Sequence, residues 1–365
     1  MEKLKVLILA GGFATRLRPL SCTRPKILFP IVNRPILQWT LERLAKNGFK
    51  EAILAVNYQT EVFIKESKIE KYGMKITYSR DPFEKPLGTG GPVKKAEKLI
   101  GRVDPFLVVN GDIFADVNYT EILKIHEAKD ALATIALHRV EDPSRYGVAE
   151  LTKDNRITRF IEKPTRETAP TNLINAGVYV LNTEIFKHIP EKRMVSMERE
   201  VFPRLVEEGK LYGYVSEGLW MDIGEPEDYL EINRKLINLF ANQQKCKVTD
   251  KAEVKKPVAF DKGISIGEKS IIGPYAVLGR NATIGSRVRI RDSIVFPGTV
   301  ISDSASIKGA IIGKDVLIGK GVKIREKCVL GDGVRINDNV SLAKGVSVCP
   351  AKEVSEDVLT SKCVM

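Results

Sequence analysis

The stretch Leu9-Ala10-Gly11-Gly12-Phe13-Ala14-Thr15-Arg16-Leu17-Arg18-Pro19, with Pro25-Lys26 shortly beyond it, decides how the first two thirds of this chain is read. The apolar run from Val6 to Ala10 reads as a short buried strand. The glycine pair that ends it can turn tightly and bring bare backbone N–H groups close to an anion. Thr15, Arg16, Arg18 and Lys26 supply fixed positive charge and donors of the kind that hold a polyphosphate. The spacing fits neither the G-x-x-x-x-G-K-[ST] loop nor the G-x-G-x-x-G loop. Taken alone, the stretch is equally a structural turn beside a solvated basic face.

Outward from that turn the chain alternates. Pro35 opens a helix with Ile36, Leu37, Leu41 and Leu44 near helical spacing and Gly48 as its stop. A strand at 52–56, a helix at 61–71, a strand at 75–79, a helix after Gly90 and a strand at 105–109 follow. Such alternation predicts a mostly parallel sheet with helices on both faces, which binds ligands beyond the carboxyl ends of its strands. The loops at those ends hold Pro86-Leu87-Gly88-Thr89-Gly90-Gly91-Pro92 and Asn110-Gly111-Asp112. The middle of the chain turns to strands at 131–137, 147–151, 157–161 and 176–181. It contains Tyr146-Gly147-Val148, Phe160-Ile161-Glu162-Lys163-Pro164, Asn175-Ala176-Gly177 and Trp220-Met221-Asp222-Ile223-Gly224.

Residues 241–258 are polar, lysine-rich and aperiodic, and read as a linker between a domain at 1–240 and one at 259–365. Beyond them aliphatic residues recur with a hexapeptide period at Ile266, Ile272, Leu278, Ile284 and Ile290. The period resumes at Ile301 and Ile307, and again from Ile312 to Val348, with glycine often next in sequence. This period predicts a left-handed parallel β-helix whose aliphatics stack inward. Acyltransferases of this shape generally use a histidine between coils. The three histidines, His126, His138 and His188, all precede the repeat, so it reads as an assembly or regulatory module.

Composition sets bounds. In 365 residues, 43% hydrophobic, there is room for two domains with real cores. The net charge of +12 is spread among acids without a long basic run, which argues against nucleic acid as partner. Five cysteines, Cys22, Cys246, Cys328, Cys349 and Cys363, show no metal-ligand spacing and suit a reduced cytoplasmic protein. No apolar segment is long enough to span a membrane, and none resembles a signal peptide.

The string G-G-x-x-T-R-L-R-P-L followed by P-K resembles the signature of the sugar-1-phosphate nucleotidyltransferases, with a Rossmann-like catalytic domain. The fused hexapeptide domain and the strings Pro143-Ser144-Arg145-Tyr146-Gly147-Val148 and Glu198-Arg199-Glu200-Val201-Phe202-Pro203 are most similar to its mannose-1-phosphate guanylyltransferases. The resemblance implies that Ala10, Gly11, Gly12, Thr15, Arg16, Lys26, Pro86, Gly88, Thr89 and Gly111 contact the nucleotide. It likewise implies that Gly147, Glu162, Lys163 and Asn175 hold the sugar phosphate, and that Asp112 and Asp222 hold Mg²⁺. Arg16, Lys26, Asp112 and Lys163 would be the catalytic set. The expected reaction joins a sugar 1-phosphate, mannose 1-phosphate above all, to an NTP, GTP above all, in a cytoplasmic homo-oligomer formed through the β-helix. Two alternatives stay open: the same chemistry with glucose 1-phosphate and UTP or dTTP, and a silent subunit that senses nucleotide sugar.

Overall fold

The computed structural model describes residues 4–12, 14–82, 86–240 and 252–365. The chain divides into two compact units, Met1–Gly12 with Ile36–Asp222, and Phe13–Pro35 with Ile223–Met365.

The first unit is built on a nine-stranded sheet. Its strands are β1 (Lys5–Leu9), β2 (Glu51–Asn57), β3 (Lys75–Asp81), β4 (Phe106–Asn110), β6 (Ala133–Arg139), β7 (Gly147–Leu151), β8 (Ile157–Glu162), β9 (Leu173–Leu181) and β10 (Leu211–Val215). The short strands β5 (Ile113–Ala115) and β11 (Trp220–Asp222) form a separate ribbon. The order β8-β7-β9-β4-β1-β2-β3 puts β1 between β4 and β2, with β4, β1, β2 and β3 all parallel. Near-continuous aliphatic runs such as Val6-Leu7-Ile8 and Leu107-Val108-Val109 are buried on both faces, as central parallel strands require. On the other side of β4 the sheet turns antiparallel through β9, which also pairs with β6 and β7.

Helices fall where the pattern placed them, with local adjustments. Helix α1 (Ile36–Lys46) buries Ile36, Leu37, Leu41 and Leu44. Helix α2 (Tyr58–Glu66) starts directly after β2, because the Asn57 side chain accepts from the Thr60 N–H and caps it. It also ends earlier than the expected Lys71. The first turn after Gly90 is a short helix, α3 (Gly90–Lys95).

The second unit is a parallel β-helix of three ladders with six, seven and six very short strands. The periodic aliphatics Ile272, Leu278, Ile284, Ile290, Ile301, Ile307, Ile312, Ile318, Ile324, Leu330, Ile336, Leu342 and Val348 form one buried column. Val295 fills the rung between Ile290 and Ile301. It lies in register with Leu278 and Ile312 and is reached by a step one residue short. Strand pairing begins at Glu253–Val254, so the coils reach back into the expected linker; residues 241–251 lie outside the described residues.

Helix α4 (Pro226–Phe240) and the segment after the glycine turn belong to the β-helix unit. The Asn233 side chain accepts from the Val32 N–H, and the Tyr229 hydroxyl donates to the Pro30 carbonyl. Asn33 donates to the Leu278 carbonyl. Asp332 of the coils accepts from both Thr23 and Arg24, and the Arg24 guanidinium lies 4.7 Å over the Phe296 ring.

Candidate active site

Asp112 occupies the bend between β4 and β5, just past the carboxyl end of a central strand. The bend is anchored by the Gly111 N–H, which donates to the Leu9 carbonyl at the end of β1. In the β5–β11 ribbon Asp222 stands opposite Ile113, one residue from Asp112. The two acidic residues, far apart in sequence, therefore start from the same end of one ribbon. Both are half-buried. Among the described residues no cluster of three or more metal-ligating side chains exists. Two oxygen donors fit Mg²⁺, a hard cation that usually takes one or two carboxylates and completes its shell with water and substrate phosphates.

Around that ribbon the next group of candidate residues is positioned by strand register. Gly147 and Glu162 are cross-strand partners in β7 and β8. A Cβ on Gly147 would lie 2.6 Å from Phe160 and 2.8 Å from the Glu162 carboxylate, so only glycine leaves room for Glu162 there. Lys163 follows in a left-handed conformation, its N–H bonded to the Tyr146 carbonyl and its ammonium 3.9 Å from Glu162. Asn175 sits where β9 breaks register, donating to the Tyr179 hydroxyl and accepting from the Gly177 N–H. Gly177, with φ 71°, lets Ile113 and Asn110 approach within contact distance, which ties this bulge to the Asp112 bend.

Burial and the nearby negative charge of Glu198 raise the Glu162 pKa, while Lys163 and Arg199 oppose the shift. Burial keeps the Tyr179 hydroxyl protonated well beyond neutral pH, so it serves as a hydrogen-bonding group and not as an anion.

Three residues beyond the expected set complete this region. Trp220 donates its indole N–H to the Ala176 carbonyl, stacks on His138 and meets Tyr146 edge-on at 5.1 Å. It thereby joins the Asp222 strand to the strings that hold Tyr146 and Asn175. Glu198 accepts from Thr89 and Ser196. Thr89 and Gly88 are thus engaged with the 195–198 segment: Met197 N–H donates to Thr89, and a Cβ on Gly88 would strike the Val195 carbonyl. Trp220 and Glu198 sat inside the quoted strings, yet nothing local marked them as connectors.

The third is Asp81, at the end of β3. Its Oδ1 is buried with no hydrogen-bond partner among the described residues, and its Oδ2 would lie 3.3 Å from a Cβ on Gly11. Burial raises its pKa to about 6, with Lys95 pulling the other way. A buried acceptor without a protein donor, beside the glycine turn, is set to receive donors from a ligand. Ala10, also at this strand end, donates its N–H to the Ala55 carbonyl. Pro86 lies exposed at the start of the glycine loop.

Gly11 and Gly12 close the first unit's β1, while Thr15, Arg16 and Lys26 lie in short 3₁₀ turns of the second. Arg16 is exposed, 3.6 Å from Glu225; Lys26 is half-buried.

A family model described as nucleotidyl transferase matches residues 5–238, and one described as GMPPB C-terminal domain matches residues 254–364. The probable mannose-1-phosphate guanylyltransferase 1 of Oryza sativa subsp. japonica is 36% identical over 368 residues, 99% of this chain and 100% of its own length. The mannose-1-phosphate guanyltransferase of Candida albicans is 45% identical over 232 residues, 62% of this chain and 63% of its own. Among solved structures, HddC from Yersinia pseudotuberculosis matches with a TM-score of 0.55 at 30% identity, covering 64% of this chain and 99% of that one.

Proposed function

The chain belongs to the nucleotidyl transferase family, and from that premise we propose that it condenses mannose 1-phosphate with GTP to give GDP-mannose and pyrophosphate. The observation that carries this reading is the register of the β5–β11 ribbon. It brings Asp112 and Asp222 to one strand end, next to the bulge that presents Asn175 and to the close of β1.

In this reading an oxygen of the sugar phosphate forms a bond to the α-phosphorus of the nucleotide as the bond to the β-phosphate oxygen breaks. A phosphate monoester with a second pKa of about 6 is already mostly dianionic at neutral pH, so the nucleophile needs no general base. Asp112 and Asp222 would hold Mg²⁺, which would supply charge neutralisation at the phosphates. Lys163 meets the incoming phosphate, and Arg16 and Lys26 bind the triphosphate. Glu162 and Asn175 accept and donate hydrogen bonds to sugar hydroxyls. Asp81 favours guanine: a carboxylate takes both the N1–H and the 2-amino donors of that base, a pair that uracil, thymine and adenine do not offer together.

A pyrophosphate-release panel of five nucleoside triphosphates against mannose and glucose 1-phosphates tests the assignment. GTP with mannose 1-phosphate is expected to turn over fastest. Highest turnover with glucose 1-phosphate and UTP or dTTP would replace it, and no turnover with any pair would favour a sensing subunit. The β-helix is read as the assembly module of a cytoplasmic homo-oligomer, for which light scattering on the purified chain is the direct check. Among the described residues no helix is long and apolar enough to cross a membrane.

A further inference from the structure

One face of the β-helix carries a groove of about 560 Å³ that the catalytic reading does not use. Among the described residues Arg287, Arg289, Lys308, Lys323 and Arg325 line it with a single carboxylate, Glu326. The ladder stacks these cations over three successive coils. Arg289, Ser306 and Lys323 share one register line, and Arg291 faces Lys308 in the next, with Arg325 following Ile324 one coil later. Their inward neighbours Ile290, Ile307 and Ile324 are buried in the aliphatic column, which fixes the basic side chains outward. Glu326 is spent on Lys308 at 2.5 Å, and Arg287 meets Ser304. Among the described residues Arg289, Arg291, Lys323 and Arg325 have no ion-pair partner. Like charges on facing ladder positions repel and lower stability. Glu326 offsets only Lys308, and an anion among the remaining cations would relieve their crowding.

We propose that this groove is a second anion site, which binds a small polyphosphate, either free or carried by a nucleotide, apart from the catalytic centre. The extent of the charge sets the class of ligand. On one side the register line ends at Ile271 and on the other at Ser341. Three coils at a strand spacing of roughly 4.8 Å give a basic stripe only about 10 Å long. That length suits a few linked phosphates and is short for a strand of nucleic acid. Among the described residues no aromatic side chain lines the groove, so they offer no stacking platform of the kind on which single strands are held. Several guanidinium groups converging on one place suit the fork geometry of phosphate oxygens.

The test is calorimetric titration of the full-length protein with inorganic tripolyphosphate, inorganic pyrophosphate and GTP. It compares wild type with the double variant Arg289→Gln/Arg325→Gln, whose changed side chains lie outside the buried column. Tripolyphosphate is expected to give two binding events in wild type. In the variant one of them weakens by at least about tenfold, while the other event and the turnover number are retained. GTP titrating the groove event points to a nucleotide as the natural source, and tripolyphosphate alone doing so points to free polyphosphate. Identical isotherms for the two proteins overturn the proposal. So does a single-stranded oligonucleotide that binds the groove more tightly than tripolyphosphate and is lost in the variant. Failure of the catalytic reading would be seen separately, as absence of the event that the variant retains.

Discussion

At the scale of single residues, the sharpest expectations concern charge that must be in place before the reaction starts. Lys26→Ala and Asp112→Ala are each expected to lower kcat by about 10²–10³, the usual loss on removing one preorganised charge, while circular dichroism stays that of the wild type. Near-normal turnover in either would remove that residue from the mechanism. Asp81 makes a pH prediction whose sign follows from its raised pKa of about 6. Below that pH the carboxyl is protonated and no longer accepts two donors from guanine. The KM for GTP should therefore rise as pH falls through about 6 in wild type, and should show no such inflection in Asp81→Asn. The same burial disfavours the ionised form in the folded state. Stability contributed by this group is thus lost as pH rises from the unfolded carboxyl's 3.8 through about 6, and Asp81→Asn should melt higher than wild type at pH 7. An unchanged melting temperature would contradict the burial argument.

At the scale of elements, the site depends on one irregular strand and one ribbon. Strand β9 breaks register between Asn175 and Tyr179, which turns Asn175 toward Tyr179 and leaves Gly177 the room that Ile113 and Asn110 occupy. The strand at 176–181 was legible as an aliphatic run. Its longer start at Leu173 and its bulge were not, because a bulge is set by the partner strand. The segment after the glycine turn is a second case. Thr15, Arg16 and Lys26 look like part of the first domain in sequence, yet the residues between Arg16 and Lys26 and just beyond are clasped by α4 and the coils. Asp332 accepts from both Thr23 and Arg24, with both ends of the ion pair mostly buried at 16% and 18% exposure. Asp332→Ala should cost about 1.5–3 kcal/mol of stability, as expected for hydrogen bonds to a charged group. It should also raise KM for GTP more than it lowers kcat. A variant with wild-type melting and wild-type KM would show that this clasp positions nothing.

At the scale of the whole chain, we expect the segment 14–35 to depend on coils far along the sequence. A fragment ending at residue 252 lacks the coils on which the segment 14–35 is built, and should lose turnover by at least about 10²-fold through disordered Arg16 and Lys26 contacts. Full activity in that fragment would show that the segment holds its shape without them. The sequence by itself determined the glycine turn, the central aliphatic strands and the aliphatic column of the repeat. Each of these is specified by neighbours within a few residues, through backbone sterics or a fixed period of burial. The joining of Asp112 to Asp222, the placing of Asp81 beside Gly11 and the link from Trp220 to Ala176 were decided only in three dimensions, by strand register between distant segments. The charge that seemed dispersed along the chain follows the same rule. Arg289, Lys308, Lys323 and Arg325 are scattered in sequence and adjacent in space, because each turn of the helix sets one coil's side chains over the last.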